Sequence, residues 1–260
     1  MIVLHSPPAR IDAPVVHISD HVAQTAGELL QGAIEQTVRR HGRCRLGLSG
    51  GSTPGPIYAW LAANLPHGLY RQLRVTWCDE RVLPSSATVP GDWQGFDLQS
   101  NLYLAFAEWL GRVPFDPHQA LPLALSTDAK AEVLRFGHAF QNEFAGGLDV
   151  ALLGVGPDGH VASLFAGHPG LQVDDICLAI HDSPKPPAER ISLGLPVLNR
   201  TRVVVVAAQG AAKADMLADA YFGTNGGAGL PVAQVHGGGD LHWVLDRAAA
   251  RCLVDRIWNN

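Results

Sequence analysis

Four short segments of this 260-residue chain gather the residue types that bind anions and move protons. The first, Leu48-Ser49-Gly50-Gly51-Ser52-Thr53-Pro54, sets two glycines among three hydroxyls. Glycine lets backbone amides approach an anion, hydroxyls add donors, and proline suits the first turn of a following helix. Ser49, Gly50, Gly51, Ser52 and Thr53 are therefore a candidate phosphate cradle. The same residues also read as a glycine turn with Ser or Thr as a helix cap. They do not form a Walker loop, because no Gly-Lys-Ser/Thr follows. The second segment is Asp79-Glu80-Arg81. Arg81 can clamp a phosphate through its planar fork, or it can serve only to neutralise its two acidic neighbours.

The third segment, Gly154-Val155-Gly156-Pro157-Asp158-Gly159-His160, contains the spacing G-x-G-x-x-G, with Asp174 twenty residues after Gly154. A dinucleotide site is a poor reading of it. Asp158 would place a carboxylate against the pyrophosphate, and Gly167 and Pro169 would cut short the helix that must follow. His160 instead suits a general base, since an imidazole titrating near about pH 6.5 can take a proton from water at neutral pH. Asp158 would orient or polarise that ring, cap a short helix over His160 to Phe165, or do both. In the fourth segment, Gln209-Gly210-Ala211-Ala212-Lys213, the lysine falls in the first turn of an expected helix. There the helix dipole disfavours a cation unless an anion is bound. The alternative is a solvated lysine with the helix starting elsewhere.

These segments follow apolar runs that must position them. Arg45 to Leu48, Arg74 to Cys78, Asp149 to Leu153 and Arg202 to Ala208 are expected strands, and Ile176 to Ile180 and Leu241 to Leu245 two more. The nearly all-apolar Asp149 to Leu153 suits a central parallel strand buried on both faces. Helical spacing appears over His21 to Arg40, with Ser19 or Asp20 as cap. It appears again over Pro56 to Asn64, Asn101 to Leu110, Asp128 to Phe144, Ala211 to Tyr221 and the C-terminus. Leu83 to Gln99 and Gly223 to Gly229 read as loops. This alternation predicts an open, mainly parallel sheet with helices on both faces, a Rossmann-like three-layer α/β sandwich. With no linker and no internal repeat, residues 1–260 are expected to form one domain. In such sheets ligands bind beyond the carboxyl ends of the strands, which is where the four segments fall.

Composition narrows the function further. The formal charge of −5 opposes a nucleic-acid footprint. No run approaches the roughly 18 apolar residues of a membrane span. The N-terminus, with Pro7, Pro8 and Arg10, has no signal-peptide pattern. Cys44, Cys78, Cys177 and Cys252 are scattered and read as reduced thiols, consistent with a cytoplasmic protein. No metal-ligand spacing such as H-E-x-x-H occurs.

Taken together, the segments resemble the 6-phosphogluconolactonase family. The resemblance is carried by Leu48 to Pro54, Asp79 to Arg81 with Pro84, Ser100-Asn101, Gly154 to His160 with Ser163-Leu164-Phe165, Arg190 to Leu193 with Leu198-Asn199, Gly210 to Lys213 with Ala214, and Trp243 to Asp246. It covers residues 20 to 250 in the family's order. It implies the fold shared with glucosamine-6-phosphate deaminases. It also implies hydrolysis of 6-phospho-D-glucono-1,5-lactone to 6-phosphogluconate in the pentose phosphate pathway. The site would be His160 and Asp158 for catalysis, with Ser49 to Thr53, Arg81, Asn101, Gly156, Arg190 and Lys213 binding the substrate. No cofactor, metal, nucleic acid, membrane or obligate protein partner is implied. Backbone amides from Gly154 to Gly159 are candidate oxyanion donors. Ala166 stands where the family has proline, Ser192 where it has threonine, and Gly226 to Gly229 look inserted. The deaminases have Asp-Glu-Tyr where this chain has Asp79-Glu80-Arg81, which favours the lactonase. A sugar-phosphate-sensing module of a regulator would need a DNA-binding domain that the roughly 20 residues before the first expected helix cannot hold.

Overall fold

The computed structural model describes residues 1–4, 14–87, 89–145 and 147–258. Pro7, Pro8 and Arg10 lie outside the described residues. The strands are β1 (Ile2–Leu4), β2 (Val15–Ile18), β3 (Cys44–Leu48), β4 (Leu73–Trp77), β5 (Asp79–Arg81), β6 (Ala120–Leu121), β7 (Val150–Gly154), β8 (Cys177–Ile180), β9 (Arg190–Leu193), β10 (Val203–Ala208) and β11 (Asp240–Leu245). The α-helices are α1 (Val22–His41), α2 (Pro54–Asn64), α3 (Asn101–Glu108), α4 (Ala129–Glu143), α5 (Leu195–Arg200), α6 (Ala214–Phe222), α7 (Pro231–Gln234) and α8 (Arg247–Trp258).

Eight strands form one sheet in the order β1-β2-β11-β10-β7-β3-β4-β6. Its pairings are parallel except for β1 with β2. The architecture is a mostly parallel α/β sandwich of Rossmann type. Its centre is β7 and β10, whose apolar side chains are buried because helices and neighbouring strands leave neither face to water. Each fully buried valine or leucine there is worth roughly 1.5–3 kcal/mol over an exposed one. Helix α1 buries Val22, Ala26, Leu30 and Ile34 on the stripe that their spacing foretold, and ends at Gly42 with φ 71°. Ser19 stands just before it, accepting from the His21 amide and the Thr25 hydroxyl, while His21 occupies the cap position itself.

Three expectations need correction. First, Cys177–Ile180 does not join the main sheet. With Asp79–Arg81 and Arg190–Leu193 it makes a separate antiparallel sheet, β5-β9-β8. Asp79-Glu80-Arg81 is thus a strand in its own right. Second, no helix forms over His160 to Phe165. Gly159 (φ 79°) and Ala162 (φ 50°) take left-handed backbone, which interrupts a right-handed helix, and Val161 instead makes isolated bridges to Val155 and Leu164. Asp158 therefore has no helix there to cap. Third, Ala211–Lys213 is a 3-10 turn, and the α-helix proper starts at Ala214. The short strands β1 and β2 were not anticipated.

Candidate active site

The four polar segments converge on one cleft, lined by Ser49 to Pro54, Asp79, Arg81, Asn101, Gly154 to Gly156, His160, Ala162, Arg190 and Lys213. Each expected site residue except Asp158 is a lining residue, and Asp158 touches the cleft through His160.

The loop after β3 is anchored from the core. Buried Tyr58 of α2 accepts from the Ser49 amide at 3.0 Å and donates to the Ser49 carbonyl at 2.5 Å. Gly51 has φ 100°, a conformation L side chains rarely adopt. Gly50 is needed for a different reason, since a Cβ there would stand 1.7 Å from Asn101 Oδ1. Thr53 holds the cap position of α2 but its side chain makes no capping bond, so the helix-cap reading of this segment is not what the geometry shows.

Asp79, Glu80 and Arg81 do three different jobs. Buried Glu80 accepts from the backbone amides of Arg81, Asn101 and Leu102 at 2.7–2.8 Å, seating the start of α3 on β5. Burial pushes its carboxyl up to about 7, against the pull of those amides. Asp79 accepts from Ser163 Oγ at 2.6 Å and Asn101 Nδ2 at 3.0 Å, and pairs with Arg190 at 3.7 Å. Arg81 makes no ion pair with either acidic neighbour; Nη1 donates to the Gln99 carbonyl, while its buried Nε and Asn101 Oδ1 have no partner among the described residues. Buried polar atoms without partners are costly, and a bound ligand can relieve that cost.

The Gly154 to His160 turn closes on itself. The Gly156 amide donates to the His160 carbonyl and the Gly159 amide to the Gly156 carbonyl, both at 3.0 Å. These two amides are spent within the turn and so are not free for an oxyanion. A Cβ at Gly156 would lie 2.1 Å from His160 Cε1, so only glycine lets the ring sit there. The ring rests against Phe165, centroids 4.9 Å apart. Its Nδ1 lies 2.5 Å from Asp158 Oδ1. Burial alone would raise the Asp158 carboxyl. The hydrogen bond from His160 and the charges of His160 and Lys185 outweigh it and hold Asp158 well below the usual carboxylate range. Among the described residues Nε2 of His160 has no partner.

Lys213 sits at the cap position of α6, following Gly210 at φ 96°. Burial and the nearby Lys185 charge pull its ammonium down, and Asp246 pulls it up. Arg190 is buried and bonded: Nε to the Pro187 carbonyl, Nη2 to those of Lys185 and Pro186, Nη1 to Ser163. The residues missed by sequence reasoning are Asp79, Ser163 and Lys185. Lys185 had one available signal: it is the only cation between Arg135 and Arg190, and it stands in a Pro-Lys-Pro-Pro segment whose prolines stiffen the backbone.

The strand ends of this α/β sandwich thus gather a glycine- and hydroxyl-rich loop, an arginine, a lysine and a carboxylate-bound histidine. The chain belongs to the family of glucosamine-6-phosphate isomerases/6-phosphogluconolactonase, which matches residues 18–243. It is 37% identical over 263 residues to the 6-phosphogluconolactonase of Rattus norvegicus, covering 97% of this chain and 93% of that one. To the 6-phosphogluconolactonase of Homo sapiens it is 39% identical, covering 90% and 87%. The solved 6-phosphogluconolactonase from Trypanosoma cruzi superposes with a TM-score of 0.80 at 23% identity, over 93% of this chain and 97% of that one, a likeness of fold.

Proposed function

We propose that this protein hydrolyses 6-phospho-D-glucono-1,5-lactone to 6-phospho-D-gluconate, a cytoplasmic step of the pentose phosphate pathway. The observation that carries the mechanism is His160: it lines the cleft with Nδ1 committed to Asp158, and Nε2 has no partner among the described residues. The substrate phosphate lies against Ser49 to Thr53, Arg81 and Lys213, with Asn101, Gly156 and Arg190 forming the walls. That placement holds the lactone carbonyl near His160. Water attacks C1 as Nε2 takes its proton. The tetrahedral intermediate then expels the ring oxygen, which receives the proton back from Nε2. One water is consumed, and the product is an open-chain acid with a new hydroxyl. Lactones already react with water, so positioning and one base suffice, without a metal or cofactor. No nucleic acid, membrane or obligate protein partner enters the reaction.

A deaminase on the same family fold is the second reading. Arg81 stands where the deaminases carry a tyrosine, and the curated relatives named above are lactonases. Purified protein should accelerate acid release from fresh 6-phosphogluconolactone, unchanged by EDTA. Ammonia release from glucosamine 6-phosphate with no acid release from the lactone would move the assignment to the deaminase.

A further inference from the structure

We propose that Lys185 is a positioning residue for His160, offsetting the pull of Asp158 toward the charged ring by sharing that carboxylate with it, and that Asp79 and Arg190 place Lys185 there. The inference rests on the hydrolytic reading above.

Lys185 lies on the loop joining β8 to β9, and both flanks of that loop are pinned. His168 Nε2 lies 3.0 Å from Asp182 Oδ1, and His181 Nδ1 lies 2.8 Å from Glu189 Oε2. Inside the loop the Ser183 amide donates to the Ala188 carbonyl at 3.2 Å, and Ser183 Oγ donates to the Lys185 carbonyl at 2.9 Å. Arg190 then gathers the carbonyls of three successive residues, Lys185, Pro186 and Pro187, at 3.1–3.3 Å. Its other end meets Ser163 at 3.4 Å and Asp79 at 3.7 Å. A charged residue only 5% exposed carries a desolvation cost that needs such partners, and only the planar fork of arginine reaches all of them.

What the loop delivers is one ammonium. Lys185 Nζ stands 3.3 Å from Asp158 Oδ1 and 3.4 Å from His160 Nδ1. An ammonium has donors only, so it cannot accept the Nδ1 proton. Asp158 by itself would favour the imidazolium, which cannot act as a base. The Lys185 charge, 3.4 Å from Nδ1 where Asp158 Oδ1 is 2.5 Å away, opposes that pull and favours the neutral ring with its Nε2 lone pair available. The other charged groups around the cleft are Asp79 and Arg81 from β5, Arg190 from β9 and Lys213 before α6. Among the described residues, Asp158 is the only carboxylate within ion-pair distance of the ring.

The test follows the His160 ring by NMR across a pH titration, in the full chain and in Lys185→Met, beside kinetics on phosphorylated and unphosphorylated gluconolactone. Removing Lys185 should move the ring's titration midpoint up by several tenths of a pH unit, and the acid limb of kcat/KM with it. At neutral pH kcat should fall by the same factor on both lactones, with KM little changed. Arg190→Lys keeps the charge but loses the fork, so it should act in the same direction. The double variant should then be little worse than either single one. An unmoved midpoint overturns the inference. So does a loss confined to KM of the phosphorylated lactone, which would make Lys185 a phosphate ligand. Additive losses would remove Arg190 from the arrangement. The Lys185→Met arm stands alone if Arg190→Lys does not fold. A midpoint that moves in a protein without lactonase activity would support the Lys185 arrangement and overturn the hydrolytic reading.

Discussion

Two aspartates bracket β7, and they are put to opposite uses. Asp149 precedes the strand, at its amino end. It accepts from Arg45 three times, from the backbone amide at 2.9 Å, Nε at 2.9 Å and Nη2 at 3.0 Å, and Arg202 adds a contact at 3.5 Å. Burial would raise its carboxyl, but the Arg45 bonds and the charges of Arg45 and Arg202 hold it low. Asp158 follows the strand, at its carboxyl end. It too is held low, but its side chain is 42% exposed and its partners are an imidazole and an ammonium. Arginine keeps its proton at any working pH, so Asp149 is locked into a fixed pair. Imidazole gives and takes a proton near neutrality, so Asp158 supports a group that can change state. The type of residue is the same at both ends. The partner and the end of the strand decide whether it locks a fixed ion pair or meets a group that can change state.

The largest effect is expected at the chemical end. His160→Gln should lower kcat by about 10²–10⁴, the usual range for a general base, with less change in KM. A folded variant with near-normal kcat would remove His160 from the reaction.

At the structural end, Asp149→Asn leaves Arg45 with a neutral partner and should destabilise by roughly 3–5 kcal/mol at pH 7 while sparing kcat of the folded protein. The pH dependence has a definite sign. The native carboxyl lies below its ordinary value, so the stabilisation is full above about pH 4 and is lost as pH falls through the lower native value. Urea unfolding of both proteins should show the gap closing toward pH 3. A gap that stays constant over that range would mean that the ion pair is not its cause.

Smaller losses are expected at the cradle. Arg81→Ala and Lys213→Ala should each lower kcat/KM for the phosphorylated lactone by about 10- to 150-fold, the worth of one charge-assisted contact. Hydrolysis of unphosphorylated gluconolactone should be nearly untouched. Equal proportional losses on both lactones would assign these residues to the fold or the chemistry instead of the phosphate.

The main sheet was legible because apolar runs such as Val150 to Leu153 and Val203 to Ala208 suit strands buried on both faces, as in a parallel sheet covered by helices. The four segments were legible because glycine, histidine and arginine stood directly after those runs. The small antiparallel sheet was not, because three- and four-residue strands such as Asp79–Arg81 carry too little alternation to be seen. The helix expected at His160 failed on Ala162, whose left-handed backbone no propensity foretells. Lys185 was hidden for a third reason. It reaches His160 across 25 positions of sequence, through a loop whose shape is set by Arg190 and by buried Asp79, which stands 106 positions before Lys185.

The most direct measurement is a crystal structure of this chain with 6-phosphogluconate, the product of the proposed reaction. The phosphate should sit within hydrogen-bond distance of Arg81 and Lys213 over the Ser49 to Thr53 loop, with the C1 carboxylate beside His160 Nε2. A phosphate seated at His160, or a ligand bound outside this cleft, would contradict the assignment.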